Sequence, residues 1–507
     1  MHENILDHNH SKITKSFNIF SYYAFLCFIF LTLSIGRPFS LIHLGYLFIT
    51  EIVLFLCFIF VLFNAKSIPG IPVNFSVPLL GYFTLGLMHL LANLLQYDLY
   101  ALRGIVFFGY TVFLPTTFII FSDKNQLKKL IFIIILSNII GLTLVRLCIY
   151  RQYPLIQSLI YWWGQIKAIN FVLYFGLTLS FLLPLSNLIK NNILKFSILL
   201  LCSINCYMLI IWGVRTSWVA LIVLILFLTF LLKKNFFKTL TYFLVILLLV
   251  STILGLTIDR DVFKEDTFLP KLTSLVSFIK KKALKPSLPE TTKALESPKP
   301  QSLLKPPKPT IVADAKKTSE KSEASKIESD NNTPVNYMDT IKQIRALDYV
   351  NYFSNIEWRL IIWKQALRGA FELPIFGKGF EIAINPLYFN ENHENIIGPD
   401  LAVTPLHNHI VSIFYKLGIA GLGLFIFFNL YCFLYGWIYL KYCKSEFIKH
   451  VLVGALGSFV YWHIIAFFYD VMDSPPTSIF LWVIMGLIFA CVAADKNSPN
   501  VIENEKV

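Results

Sequence analysis

Three stretches of the chain hold residue types at spacings that could do chemistry. In LHNHIVSIFYKLGIAGLGLF, His407 and Asn408 are followed by nine residues, then Gly418, two residues and Gly421. A His at the rim of a membrane cavity, followed by a short helix and a small-residue elbow, would hold an imidazole where it can take a proton. Ordinary interfacial histidines at 407 and 409 are the plain alternative. HxH also invites a metal reading, but no carboxylate or Cys cluster accompanies it, so no metal site is expected. The second stretch is WGVRTSWVAL, where Arg215 lies at the mouth of an apolar run beside Thr216, Ser217 and Trp218. There the alternative is a cation snorkelling to the interface. The third is SNIEWRLIIWKQ, whose Arg359 could equally belong to the polar face of an amphipathic helix. Asp470 and Asp473, in FFYDVMDSPPTS, either orient a histidine or hold a hydroxyl, or are interface carboxylates with no task.

The elements that must position these residues are membrane helices. Residues AVILMFWYC make up 56% of the 507, aromatics 16% and DEKR only 15%. Soluble domains reach about 45–50% apolar residues even with Gly counted, and about 25% charged ones. The excess is too large for a surface in water. Soluble enzymes, nucleic-acid-binding modules and disulfide scaffolds are excluded on that ground. The net charge of +14 sits largely in short Lys clusters between apolar runs and in one long Lys-rich stretch, so no basic face and no nucleic-acid partner follow from it. The Cys residues lie in apolar runs or, for Cys443, in a Lys-rich connector, which argues against a disulfide framework. No small-residue cleavage pattern follows the first apolar run, so that run is expected to be retained.

Runs long enough to span fall at roughly 17–36, 40–63, 77–96, 103–122, 129–150, 168–189, 194–213, 217–232, 239–258, 419–440, 449–470 and 475–494. The fold class expected is therefore an all-α polytopic integral membrane protein with about twelve transmembrane helices. Connectors after even-numbered helices carry Lys124, Lys128 and Lys129, then Lys190 and Lys195, then Lys233, Lys234 and Lys238, then Lys441, Lys444 and Lys449. The positive-inside rule makes those connectors and both termini cytoplasmic. Residues 1–258 then hold helices one to nine, and 259–404 form a large loop on the opposite, outer side. Residues 405–494 hold the His-bearing element and helices ten to twelve, and 495–507 are a cytoplasmic tail. Within the loop, about 280–335 is rich in Lys and Pro and is expected to be disordered. An amphipathic helix is expected at about 350–371, with Trp358, Leu360, Ile361, Trp363 and Leu367 as its apolar stripe and Pro374 beyond its end. Residues 154–167, with Trp162 and Trp163, suit an interfacial helix. Glu51, His89, Arg146 and His463 lie inside spans, where they are costly, and suit interhelical contacts.

The HN, nine residues, GxxG pattern resembles the signature of the O-antigen ligases and the wider superfamily of O-antigen polymerases and bacterial O-oligosaccharyltransferases. Further features are similar to that family: an R(S/T)xW-like element from Arg215 to Trp218, a large late loop, and an Arg-bearing helix followed by PxxGxG, here Arg359 then Pro374, Gly377 and Gly379. The resemblance implies a GT-C-like membrane glycosyltransferase of lipopolysaccharide biosynthesis. It would take a glycan from undecaprenyl diphosphate to the lipid A core at the periplasmic face of the inner membrane, with inversion and without cofactor or metal. It assigns His407, Arg215 and Arg359 to catalysis, with His407 as base and the arginines on the departing diphosphate. Asn408, Trp218, Asp470 and Asp473 fall to substrate binding, and Gly377, Gly379, Gly418 and Gly421 to the structural motif. Polymerase and protein O-oligosaccharyltransferase activities share the donor and remain alternatives. So does a lipid-linked saccharide transporter, although the informative residues gather at one face and no internal repeat is visible, unlike many carriers.

Overall fold

The computed structural model describes residues 2–35, 39, 42–44, 47–65, 71–97, 108–149, 169–212, 215–257, 355–379, 406, 408–469 and 475–497. His407, Asp470, Asp473, the 154–167 segment and the Lys/Pro-rich stretch lie outside the described residues, as do the side chains of Arg146, Arg215, Trp358 and Ile361. Apart from one short antiparallel ladder, His43–Leu44 with Leu47–Phe48, the regular structure among the described residues is helical. The helices are α1 His2–Ile35, α2 Ile49–Phe63, α3 Val73–Tyr97, α4 Phe113–Phe121 (led in by a 3₁₀ turn), α5 Lys124–Ile149, α6 Ile169–Ser186 and α7 Asn192–Trp212. They continue with α8 Arg215–Leu232, α9 Lys234–Thr257, α10 Asn355–Glu372, α11 His409–Tyr439, α12 Glu446–Phe468 and α13 Pro475–Asn497. Eight are long and apolar enough to cross a bilayer, and four shorter apolar helices at 49–63, 110–121, 172–186 and 216–232 occupy the remaining expected runs. The protein is an all-α polytopic membrane protein. Helices are required here because lipid offers no partner to an open backbone.

The core gathers around α12 and α13, which bury most of their side chains while the outer helices turn Leu, Ile and Phe outward. In lipid, helices meet through close packing and interhelical hydrogen bonds. Gly176 of α6 lies under the Tyr461 ring, whose hydroxyl donates to Val172 O at 2.8 Å. Asn138 of α5 and Asn205 of α7 exchange amide hydrogen bonds of 2.7 and 2.8 Å.

Antiparallel packing fixes which ends meet. Gly176 and Gly454 face Tyr461 and Phe181, and Gly457 faces Leu224 and Leu228, so the ends of α6 and α8 lie with the start of α12. Thr239 near the start of α9 donates to Asn187 at 2.7 Å, and Asn138 pairs with Asn205 at similar distances into their helices. The turns carrying Lys124, Lys190, Lys233 and Lys441 therefore share one end of the bundle, the lysine end. The opposite end holds the start of α8, the end of α12 and the start of α11.

Candidate active site

At that opposite end α11 begins with Asn408 as its N-cap, the side-chain oxygen accepting from Ile410 N at 2.9 Å and Val411 N at 3.1 Å. Such a cap satisfies amides that have no helical partner. The short helix expected after His407 and the span expected from 419 form one element, which starts at His409 and is broken at the expected elbow, at Gly418, where φ is 63° and ψ −164°. An unbroken helix would bond Ile419 N to Tyr415 O and Ala420 N to Lys416 O. Here Ile419 N donates to Pro374 O at 2.8 Å and Ala420 N to Ile375 O at 3.1 Å. The released carbonyls take Lys378 N and Gly379 N, at 2.8 and 2.9 Å. The PIFGKG segment thus replaces both helical bonds lost at the break, and the two glycine motifs prove to be halves of one seam. Gly377 and Gly379 have φ of 76° and 93°, a region favouring glycine. A Cβ on Gly377 would meet Gly418 N, and one on Gly418 would lie 2.6 Å from Gly377 N. Gly421 lies against the Leu417 side chain.

The helix after the long loop, α10, docks on the first part of α11 through Ile362, Ala366 and Ala370, which pack with Leu406 and Tyr415. This corrects the expected stripe: Leu360 and Leu367 are exposed, at 55% and 36%. The close approach is made by small residues, with Gly369 under the Tyr415 ring. On a neighbouring face, one turn apart, sit two anchors. Trp363 Nε1 donates to Leu406 O at 2.7 Å, fixing the residue before His407. Arg359 Nη1 donates to Phe468 O at 3.0 Å, at the end of α12, and its guanidinium carbon lies 5.2 Å from the centre of the Tyr469 ring. Arg359 Nε is buried with no hydrogen-bond partner among the described residues. One helix face thus braces both the residue preceding His407 and the residue preceding Asp470.

Arg215 is the first residue of α8. From the Leu224–Leu228 contact with Gly457, the helical rise carries α8 back to Arg215 and α12 forward to Phe468 over about 16 Å each. Both arginines are thereby attached at one depth. Trp218 braces the α7–α8 turn, its indole N–H donating to Ile210 O at 3.1 Å.

Other polar groups within the helices escaped the motif reading. His409, 3% exposed, packs among Phe425, Trp462 and His463, and HxH spacing was its signal. His463 makes contacts of 2.9 Å to Phe459 O and 3.0 Å to Asn429 Oδ1, joining α12 to α11. Glu51 accepts from Phe48 N at 3.0 Å and caps its own helix. His89 of α3 is hydrogen-bonded to the backbone of Phe376 in the seam.

These features define a polytopic membrane protein with the Arg359 guanidinium at one end of its bundle, beside an interlocked backbone. Over residues 198–426 the chain is similar to the O-antigen ligase family, whose model matches that stretch. The match runs from within α7 to within α11 and takes in Arg215, Trp218, Arg359, both glycine elements, His407 and Asn408, while Asp470 and Asp473 lie beyond it. The likeness read from the motifs is supported by this match, which favours ligase- or polymerase-type activity in a membrane glycosyltransferase. Among curated proteins none matches the chain.

Proposed function

We propose that the protein transfers a glycan from undecaprenyl diphosphate to the lipid A core at the periplasmic face of the bacterial inner membrane. The observation that carries this reading is Arg359, a guanidinium braced at the end of α12 with a buried Nε that has no partner among the described residues, on the same helix that fixes the residue before His407. The lysine end is cytoplasmic by the positive-inside rule, and both termini lie on that side. The donor's sugar is then at the opposite end, where the family's motif residues gather.

The reaction balances without a nucleotide. His407 takes the proton of an acceptor sugar hydroxyl, and the oxygen attacks the anomeric carbon. The bond from that carbon to the phosphate oxygen breaks, and lipid diphosphate leaves with inversion. Arg359 and Arg215 hold the growing negative charge, which low dielectric makes more effective. Asp470 or Asp473 orients the imidazole or holds a hydroxyl. Asn408 contributes by capping the helix, and Trp218 by keeping the α7–α8 turn beside the site. No metal takes part, so a chelator leaves transfer unchanged.

The test is lipopolysaccharide from a deletion strain, resolved on a gel. Core without any O-chain supports the ligase. Core bearing one repeat unit indicates a polymerase with the same donor, and unchanged lipopolysaccharide removes both.

A further inference from the structure

Helix α10 turns Ile362, Ala366 and Ala370 toward α11. At about 100° per residue the opposite side of the helix is a stripe of Leu360, Leu367 and Phe371, exposed at 55%, 36% and 68%. Lys364 lies in that stripe and Arg368 at its edge, both exposed. The apolar strip runs on beyond the helix through Leu373, Ile375 and Phe376, each more than half exposed. Glu372 is paired with Lys378 of the seam, so the described charges left over on this face, those of Lys364 and Arg368, are both positive. An apolar stripe edged by cations is the make-up of a helix that lies in the interface of a bilayer, and α10 is not among the helices long and apolar enough to cross one.

The ties of α10 to the bundle give its height and tilt. His463 of α12 meets Asn429 of α11 at 3.0 Å, so these two antiparallel spans are level there. Toward the same end, Phe468 lies about 7.5 Å beyond that level and Ala420 about 13.5 Å beyond it, by helical rise. Arg359 is tied to Phe468 O, and Ile375 O to Ala420 N. The two ties thus differ in height by about 6 Å, whereas α10 from Arg359 to Glu372 is about 20 Å long. The helix therefore lies close to the membrane plane, at the rim of these spans. We infer that the outer face of α10 is seated in the lipid leaflet at that rim, with Leu360, Leu367 and Phe371 among the upper acyl chains and Lys364 and Arg368 on the phosphates of anionic phospholipids. The helix is at the depth where acyl chains give way to phosphates, and cations beside apolar residues match that boundary better than they match a protein partner. The neighbouring face of the same helix holds Phe468 O and Leu406 O, so lipid bound outside steadies both anchors of the site. This holds whichever reaction the site performs.

The experiment places the purified full-length protein in phosphatidylcholine nanodiscs with a trace of phosphatidylglycerol or phosphatidylcholine that carries a photoreactive group in its acyl chain. Labelled residues are mapped by mass spectrometry. In the wild type, label should fall on Leu360, Leu367 and Phe371 and spare Ile362, Ala366 and Ala370. Phosphatidylglycerol should label the stripe about tenfold more than phosphatidylcholine. Lys364→Gln combined with Arg368→Gln should abolish that preference, and so should salt of about 1 M, which screens charges beyond roughly 3 Å. Should the double variant fail to fold, the salt series on the wild type decides the charge assignment by itself. A stripe that neither lipid labels would overturn the seat, since water or protein would then cover it. Equal labelling by the two lipids would overturn the anionic assignment, and so would a preference that survives the double substitution or high salt.

Discussion

The α11–α12 hairpin has two ends built on opposite principles. At the lysine end its turn is closed by one carboxylate from α13. Asp495 accepts from Ser445 N at 2.8 Å, Lys444 N at 3.0 Å and the Tyr439 hydroxyl at 3.0 Å. Burial, and then this carboxylate, push the nearby Cys443 thiol up to about 12, so it stays protonated at working pH. At the other end the same two helices part. There α11 breaks and is satisfied by the 374–379 segment, and α12 finishes on a carbonyl held by Arg359, whose Nε has no partner among the described residues. The two ends differ in spare bonding capacity. A saturated turn supplies stability, whereas an end whose guanidinium keeps one donor without a partner among the described residues supplies a place for an anion.

Substitutions can break or sharpen this contrast. The largest effect is expected from His407→Ala, which should lower turnover by about 10²- to 10⁴-fold while leaving the melting temperature unchanged. Near wild-type transfer by that variant, with purified donor and acceptor, removes the residue from the mechanism. Next come Arg359→Lys and Arg215→Lys, each expected to lose roughly 10- to 100-fold, because an ammonium cannot present a planar fork to two phosphate oxygens. Donor binding should weaken with them, and full activity in both would end the bidentate reading. Gly418→Ala should destabilise the protein by about 3 kcal/mol, since a side chain is strained at that φ and would strike the Ile375 carbonyl. Thermal unfolding in detergent measures it, and an unshifted midpoint would mean that the seam yields. Tyr439→Phe at the saturated end should cost only about 1 kcal/mol and leave turnover of the folded protein untouched. A fall in turnover there would show that the two ends are coupled.

Helix number and the site motifs were legible because hydropathy and residue spacing are local properties. The pairing of 374–379 with 415–420 was not, since nothing in either glycine pattern names its partner. The buried stripe of α10 was misplaced for a related reason. Large Leu360 and Leu367 draw the eye, yet close helix approach is made by Ala366 and Ala370, and the exposed leucines match lipid as well as they would match protein. The short helix and the small-residue elbow expected after His407 are present as residues 409–417 and the break at Gly418, and what the spacing did not show is that they are continuous with the span beyond.

The seam also decides where the chain presents His407. The backbone leaves it at Gly379, tied to Lys416 O, and is held again at Leu406, tied to the Trp363 indole. Residues 380–405 thus run between two fixed feet. The place from which His407 is presented is thus set by two ties at described residues, the Gly379 amide on Lys416 O and the Trp363 indole on Leu406 O.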